Sequence, residues 1–240
     1  MTDKQPSQGT VLPERAGDPA RSGILLVGGG QLCAAAVPLL RAAGLVPAGV
    51  IHGPHCDFVA EAGLPPLGRD ADLARLRRDF CQAVVTAPHK QEAGLRRLLC
   101  GLLEELGFAL AGALHPGARV DAEACLGAGN LVFADAALAA GCRTGTACLL
   151  LPRVRLGRDC HLGDHVHLGA GTRLGAGVTV ADGAHLGRDV LVGDNVRLGR
   201  DVLVDDGLRL EKNIFVPDGT HLTAGCLPGP ALRTTAKDTL

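Results

Sequence analysis

The stretch "RLGRDCHLGDHVHLGAGTRLGAG" (155–177) returns a leucine every sixth residue, each followed by glycine: Leu156-Gly157, Leu162-Gly163, Leu168-Gly169 and Leu174-Gly175. Polar residues fill the intervals: Arg158, Asp159, His161, Asp164, His165 and His167. Stepping outward by six carries the pattern from Leu114 to Leu222 without an insertion. Eighteen of those nineteen positions are Leu or Val, with Thr144 the exception. Two residues before most of them stands another small or aliphatic side chain, such as Ala124, Cys142, Cys148, Val154, Cys160 or Val178. A period of six matches neither the 3.6 of a helix nor the 2 of a long strand. It predicts a β-helix in which each hexad makes one short strand and one corner, with glycine letting the chain turn where a Cβ would clash.

Upstream, the pattern changes. "GILLVGG" (23–29), "LVPAGVI" (45–51), "CQAVVTA" (81–87) and "FALAGAL" (108–114) read as short buried strands. "QLCAAAVPLLRAAG" (31–44), "DADLARLRRDF" (70–80) and "HKQEAGLRRLLCGLLEELG" (89–107) have helical spacing, the last with Leu95, Leu98, Leu99, Leu102 and Leu103 on one face. Strands alternating with helices predict a parallel sheet in a small doubly wound domain. The expected organisation is α/β plus all-β: a tail at 1–22 without order, a Rossmann-like domain at 23–113, a β-helix at 114–226 and a C-terminal tail at 227–240.

Composition narrows the function. A formal charge of −1 in 240 residues, with no Lys/Arg stripe visible along the chain, argues against electrostatic binding of nucleic acid. No apolar run reaches the roughly 20 residues that span a bilayer, and the polar, Pro/Gly-rich N-terminus lacks a signal peptide's apolar core; a cytoplasmic protein is expected. Nine cysteines, an odd number in a chain without an export signal, read mostly as reduced packing residues. Five Phe with no Trp or Tyr leave Leu, Val and Ala to fill a narrow, repetitive interior.

With "GRDADLARL" (68–76), "LHPGARV" (114–120), "DCHLGDHVHLGAG" (159–171) and Pro230-Ala231, the two halves in this order resemble the sialic acid O-acetyltransferase and bacterial sugar N-acetyltransferase family over about residues 23–231. The resemblance implies a left-handed parallel β-helix of about six triangular coils, each built from three hexads. It also implies a homotrimer with the acyl-CoA cleft between subunits, acetyl-CoA as co-substrate, and an amino- or hydroxy-sugar acceptor that is nucleotide-linked in some members. Residues 18 apart then lie on adjacent coils at the ordinary inter-strand distance of about 4.8 Å.

Family members carry a His-Asp-Cys or His-Glu-Cys triplet before "IGD", whose His is the general base and whose acid orients it. Here the triplet is Arg158-Asp159-Cys160, and "LLLPRV" (149–154) replaces a polar run. Arginine stays charged and accepts no proton. Arg158 is therefore left to clamp a substrate anion or to pair with Asp159, and Asp159 to act as base; a lost site, a shifted one and an altered acyl-transfer site all stay open. The resemblance places His167 near acetyl-CoA, with His185 stacked one coil on and Gly169 beside it. His167, His185 and His221 share the phase before the inward aliphatic, so they read equally as a solvated row. Gly28, Gly29 and Gly30 can cradle phosphate between strand and helix, and His52 stands where a ribose-binding acid is expected. No His/Cys spacing has the specificity of a metal site: His161, His165 and His167 fall on different faces, and His52, His55 and Cys56 lack a distal pair. A catalytically degenerate trimer that binds a nucleotide-sugar or a partner protein is the alternative function.

Overall fold

The computed structural model describes residues 23–53, 63–87 and 93–224. Strands β1 (Gly23–Val27), β2 (Val46–His52), β3 (Pro66–Arg69), β4 (Gln82–Val85) and β5 (Ala109–Leu110) form one sheet in the order β3-β2-β1-β4-β5. All its pairings are parallel. Helices α1 (Gln31–Ala42), α2 (Leu73–Leu76) and α3 (Ala93–Glu105) provide the connections. Because side chains alternate along a strand, Ile24, Leu26, Val50 and Val84 pack against α1 residues Ala36, Val37 and Leu40. Leu25, Val27, Ile51 and Val85 pack on the other face, against Leu99 and Leu103 of α3. This is the expected Rossmann-like sheet, with differences at three places. The helix expected over 70–80 is one 3₁₀ turn (Asp70–Asp72) plus the single α turn of α2. The Arg77 guanidinium beyond it is engaged by the Gly107 carbonyl at 2.9 Å and stacked over Phe108. β3 is an edge strand that begins at proline, where no hydrophobic alternation marks it. "FALAGAL" is two strands in two sheets: β5 closes the first, and Ala113–Leu114 opens the repeat. The tails expected at 1–22 and 227–240 lie outside the described residues.

From Ala113–Leu114 to His221–Leu222, two-residue strands recur every six residues and stack in parallel into sheets of seven, six and six strands among the described residues. Register partners are 18 apart, for example His161 with Arg143 and Thr179. This is the left-handed parallel β-helix. The hexad aliphatics from Val132 to Leu222 are all buried. Thr144 is buried too, and its hydroxyl accepts from Asn130 Nδ2 at 2.6 Å.

The corner chemistry is equally regular. Every sixth residue from Gly129 to Gly219 has positive φ, in a left-handed conformation that Gly, Asn and Asp adopt most readily. Where a glycine follows the inward hexad residue, it is needed for a different reason. A Cβ on Gly145, Gly163, Gly175, Gly187 or Gly199 would run into the next coil's backbone and an aspartate carboxylate. That aspartate closes a ladder: the amide N–H of Thr146 donates to Asp164 Oδ1 at 2.7 Å, Asp164 to Asp182 at 2.9 Å, and Ala176 to Asp194 at 2.8 Å.

Most of the described cysteines are packing residues, as expected: Cys33, Cys100, Cys142, Cys148 and Cys160 are buried. Cys142, Cys148 and Cys160 are buried and free, and each thiol donates to the carbonyl fifteen residues on, at 3.0, 3.1 and 3.0 Å. Thr172 makes the same bond at 2.7 Å, so these four positions of the phase hold a small side chain with a donor where Val or Ala fills most others. Cys125 is exposed, and Cys56 and Cys226 lie outside the described residues.

Candidate functional site

The N-terminal half docks on one face of the β-helix. The outward column of that face runs Ala113, Leu131, Leu149, His167, His185, Leu203, His221. Its first three members, with Phe133, join the cluster beneath α1, which accounts for the apolar "LLLPRV": it is a docking surface. At the neighbouring corner the fully buried Arg96 of α3 bridges the halves, donating to the carbonyls of Val85 and Ala147 at 2.9 Å each. Next to it, Arg97 pairs with Asp201 at 2.9 Å. Neither arginine figured in the sequence reading, because the contact joins residues 51 and 104 apart. The only local hint was an arginine at position 96 among the leucines of an amphipathic helix.

Burial of two of its members corrects the picture of a solvated histidine row. His185 is buried, His167 half-buried, and their rings meet edge-on at 4.3 Å. Only His221 is exposed, with Nε2 at 3.0 Å from Asp205 Oδ1. Gly169 is buried and sterically required, since a Cβ there would strike the carbonyl of Gly187. His165 occupies a corner with φ 58° and is half-buried beside Asp164. Burial, followed by the Arg96 guanidinium, lowers its pKa.

Arg158 and Asp159 sit on another vertex of the prism, the corner that follows strand Arg155–Leu156. Both are exposed, and Arg158 forms no ion pair among the described residues, so the pairing with Asp159 left open above is not made. Asp159 takes the left-handed corner conformation with φ 57°, its carboxylate lying over Gly141 as Asp189 lies over Gly171. Its position is thus explained by the scaffold. Within one chain, Arg158 and Asp159 do not converge with His167 and His185.

The glycine turn stands at the carboxyl end of the sheet, where the strand order reverses between β1 and β4. In open α/β sheets this crevice receives ligands. Gly28 is packed tight: its carbonyl accepts from Thr86 Oγ1 at 2.6 Å, and a Cβ would collide with the Ala87 backbone. Gly29 is buried. Gly30, with φ 81° and open space around it, caps α1, whose first turn carries no acidic residue and no side-chain cap. That end of the helix is suited to an anion. His52 is buried at the end of β2, paired with Arg69 of β3, instead of open toward a ribose.

A second correction concerns charge. The outward column of another face reads Arg119, Ala137, Arg155, Arg173, Leu191, Arg209. Its four arginines are exposed, and two shallow grooves of about 550 and 410 Å³ lie on this face. Spread along the chain, these arginines are invisible in the net charge and fall into one column, with Arg155 and Arg173 adjacent, only when the coils stack.

Neither a protein-family model nor a curated protein matches the chain. Solved structures do. A point mutant of perosamine N-acetyltransferase from Caulobacter crescentus, in complex with CoA and GDP-perosamine, is 28% identical with a TM-score of 0.72, covering 81% of this chain and 93% of that one. Its architecture is that of the bacterial sugar N-acetyltransferases. The acetyltransferase domain of PglB from Neisseria gonorrhoeae (22% identity, TM-score 0.73, 84% and 97% covered) shares the fold. WeeI from Acinetobacter baumannii (16%, 0.67, 80% and 95%) does so as well. These likenesses span both halves in the same order, consistent with the hexapeptide-repeat acetyltransferases.

Proposed function

We propose that the chain is an acetyl-CoA-dependent sugar acetyltransferase whose acceptor is the amino group of a nucleotide-linked sugar. The observation that carries this reading is the shared two-domain architecture, at 28% identity over 81% of the chain, with an enzyme crystallised with CoA and GDP-perosamine. The uncapped α1 terminus at Gly30 supplies N–H donors for a diphosphate, and the arginine column offers partners for the phosphates of CoA. His167 and His185 then line the sugar side of the cleft. In this reading the protein works in the cytoplasm, as expected for a user of acetyl-CoA.

The active unit of this reading is a trimer. Arg158 and Asp159 occupy one vertex of the β-helix, and the covered histidines a different face. A second copy that brings its Arg158 corner over the first copy's interdomain crevice completes the site, and rings are the closed form of such head-to-tail contacts. One observation favours the alternative of a binding-only homologue: arginine stands at 158, where the family resemblance implies a base His. Calorimetry with acetyl-CoA, run on material sized by light scattering, tests the proposal. The expected result is saturable binding by a particle of about three times the 24.6 kDa chain. A monomer that ignores acetyl-CoA would sink it.

A further inference from the structure

The Arg158 corner lacks a base at 158, yet an imidazole returns to that corner from three residues on. His161, on the strand His161–Leu162, is exposed, and its Nδ1 lies 3.0 Å from the backbone carbonyl oxygen of Asp159. A carbonyl only accepts, so Nδ1 carries the proton and the neutral ring keeps its lone pair on Nε2. The carbonyl does for this ring what a carboxylate does elsewhere: it fixes the tautomer and the orientation. Asp159 itself is held by the repeat, with left-handed φ, its N–H donated to the Ala140 carbonyl at 3.0 Å and its side chain over Gly141. The carbonyl that orients the ring therefore belongs to a rigid corner.

We infer that His161 is the general base of acetyl transfer, displaced three residues along the chain from Arg158. The inference rests on the acetyltransferase reading above. As the sugar amine nitrogen attacks the thioester carbonyl carbon, its proton passes to His161 Nε2. The tetrahedral adduct collapses, breaking the C–S bond, and the departing thiolate takes the proton back from the imidazolium. Amide and CoA thiol are the products, and the ring is restored. The charged groups around it are Arg158 and Asp159 at the corner and Arg143 in register on the coil before, with Thr179 on the coil after.

Steady-state turnover of acetyl-CoA with GDP-perosamine, followed by chromatographic release of CoA, tests the assignment in wild type, His161→Gln, His161→Gly and the control His221→Gln. Both substituted side chains, His161 and His221, are exposed, so circular dichroism should show native folding. His161→Gln should lose kcat by about 10²–10⁴-fold with KM for acetyl-CoA little changed, and free imidazole should restore part of the rate to His161→Gly alone. The control should match wild type. Wild-type turnover that survives in His161→Gln overturns the assignment while leaving the acetyltransferase reading intact. A wild type that transfers to no amino sugar overturns both.

Discussion

Among the polar residues of 155–177, each acid is explained by the coil. The Asp164 carboxylate accepts a backbone N–H, and Asp159 covers a glycine. The histidines are what the scaffold does not require. His165 shows this through its charge state. Its pKa is lowered by burial, then by the Arg96 guanidinium, with Arg97 acting the same way and Asp164 and Asp182 opposing. The folded protein therefore binds this proton less readily than the unfolded chain, whose histidine titrates near 6.5. Its contribution to stability is complete above about pH 6.5 and is lost as the pH falls from there through the lower folded value. Thermal melts across that range should show His165→Asn, which keeps a residue tolerant of positive φ, losing less stability on acidification than wild type. Parallel curves for the two proteins would contradict the assigned environment.

At the scale of the elements, the hexad was legible because its cause is local and repeated: a coil so narrow admits only one inward aliphatic and one small residue per side. The register follows directly, and it makes a sharp prediction. Val178 has no exposed surface and stacks between Cys160 and Val196 of the adjacent coils. Val178→Ala should fold with a lowered melting temperature, whereas Val178→Asp buries a carboxylate with no partner and should cost more than about 4 kcal/mol. An unchanged melt for Val178→Asp would show that the inward phase has been misassigned. Other elements were less legible, for reasons that are equally physical. β3 begins at Pro66 and, as an edge strand, carries no alternation. The division of "FALAGAL" depends on which sheet each dipeptide joins, and nothing local encodes that.

For the whole molecule, sequence reading recovered the two architectures and their order but not the surface between them. Leu149 looked like an eroded active-site run until α1 was seen resting on its cluster. His185 looked solvated because a hexad phase reports only inward or outward, and a second domain decides what outward means. The arginine column shows the same limit in charge: four residues scattered over ninety positions become one stripe through an 18-residue coil. The glycine turn, by contrast, was placed correctly at the end of β1, since its chemistry is contained within one strand–helix junction. On the function proposed above, the fold, the crevice and the corner belong to an enzyme that moves an acetyl group onto a sugar nitrogen. The most direct test incubates the purified protein with acetyl-CoA and GDP-perosamine and identifies the products by mass spectrometry and NMR. The account predicts one acetyl group on the amino nitrogen of the sugar and one CoA thiol released per product; unaltered sugar nucleotide at saturating acetyl-CoA, across a panel of nucleotide-linked amino sugars, would contradict it.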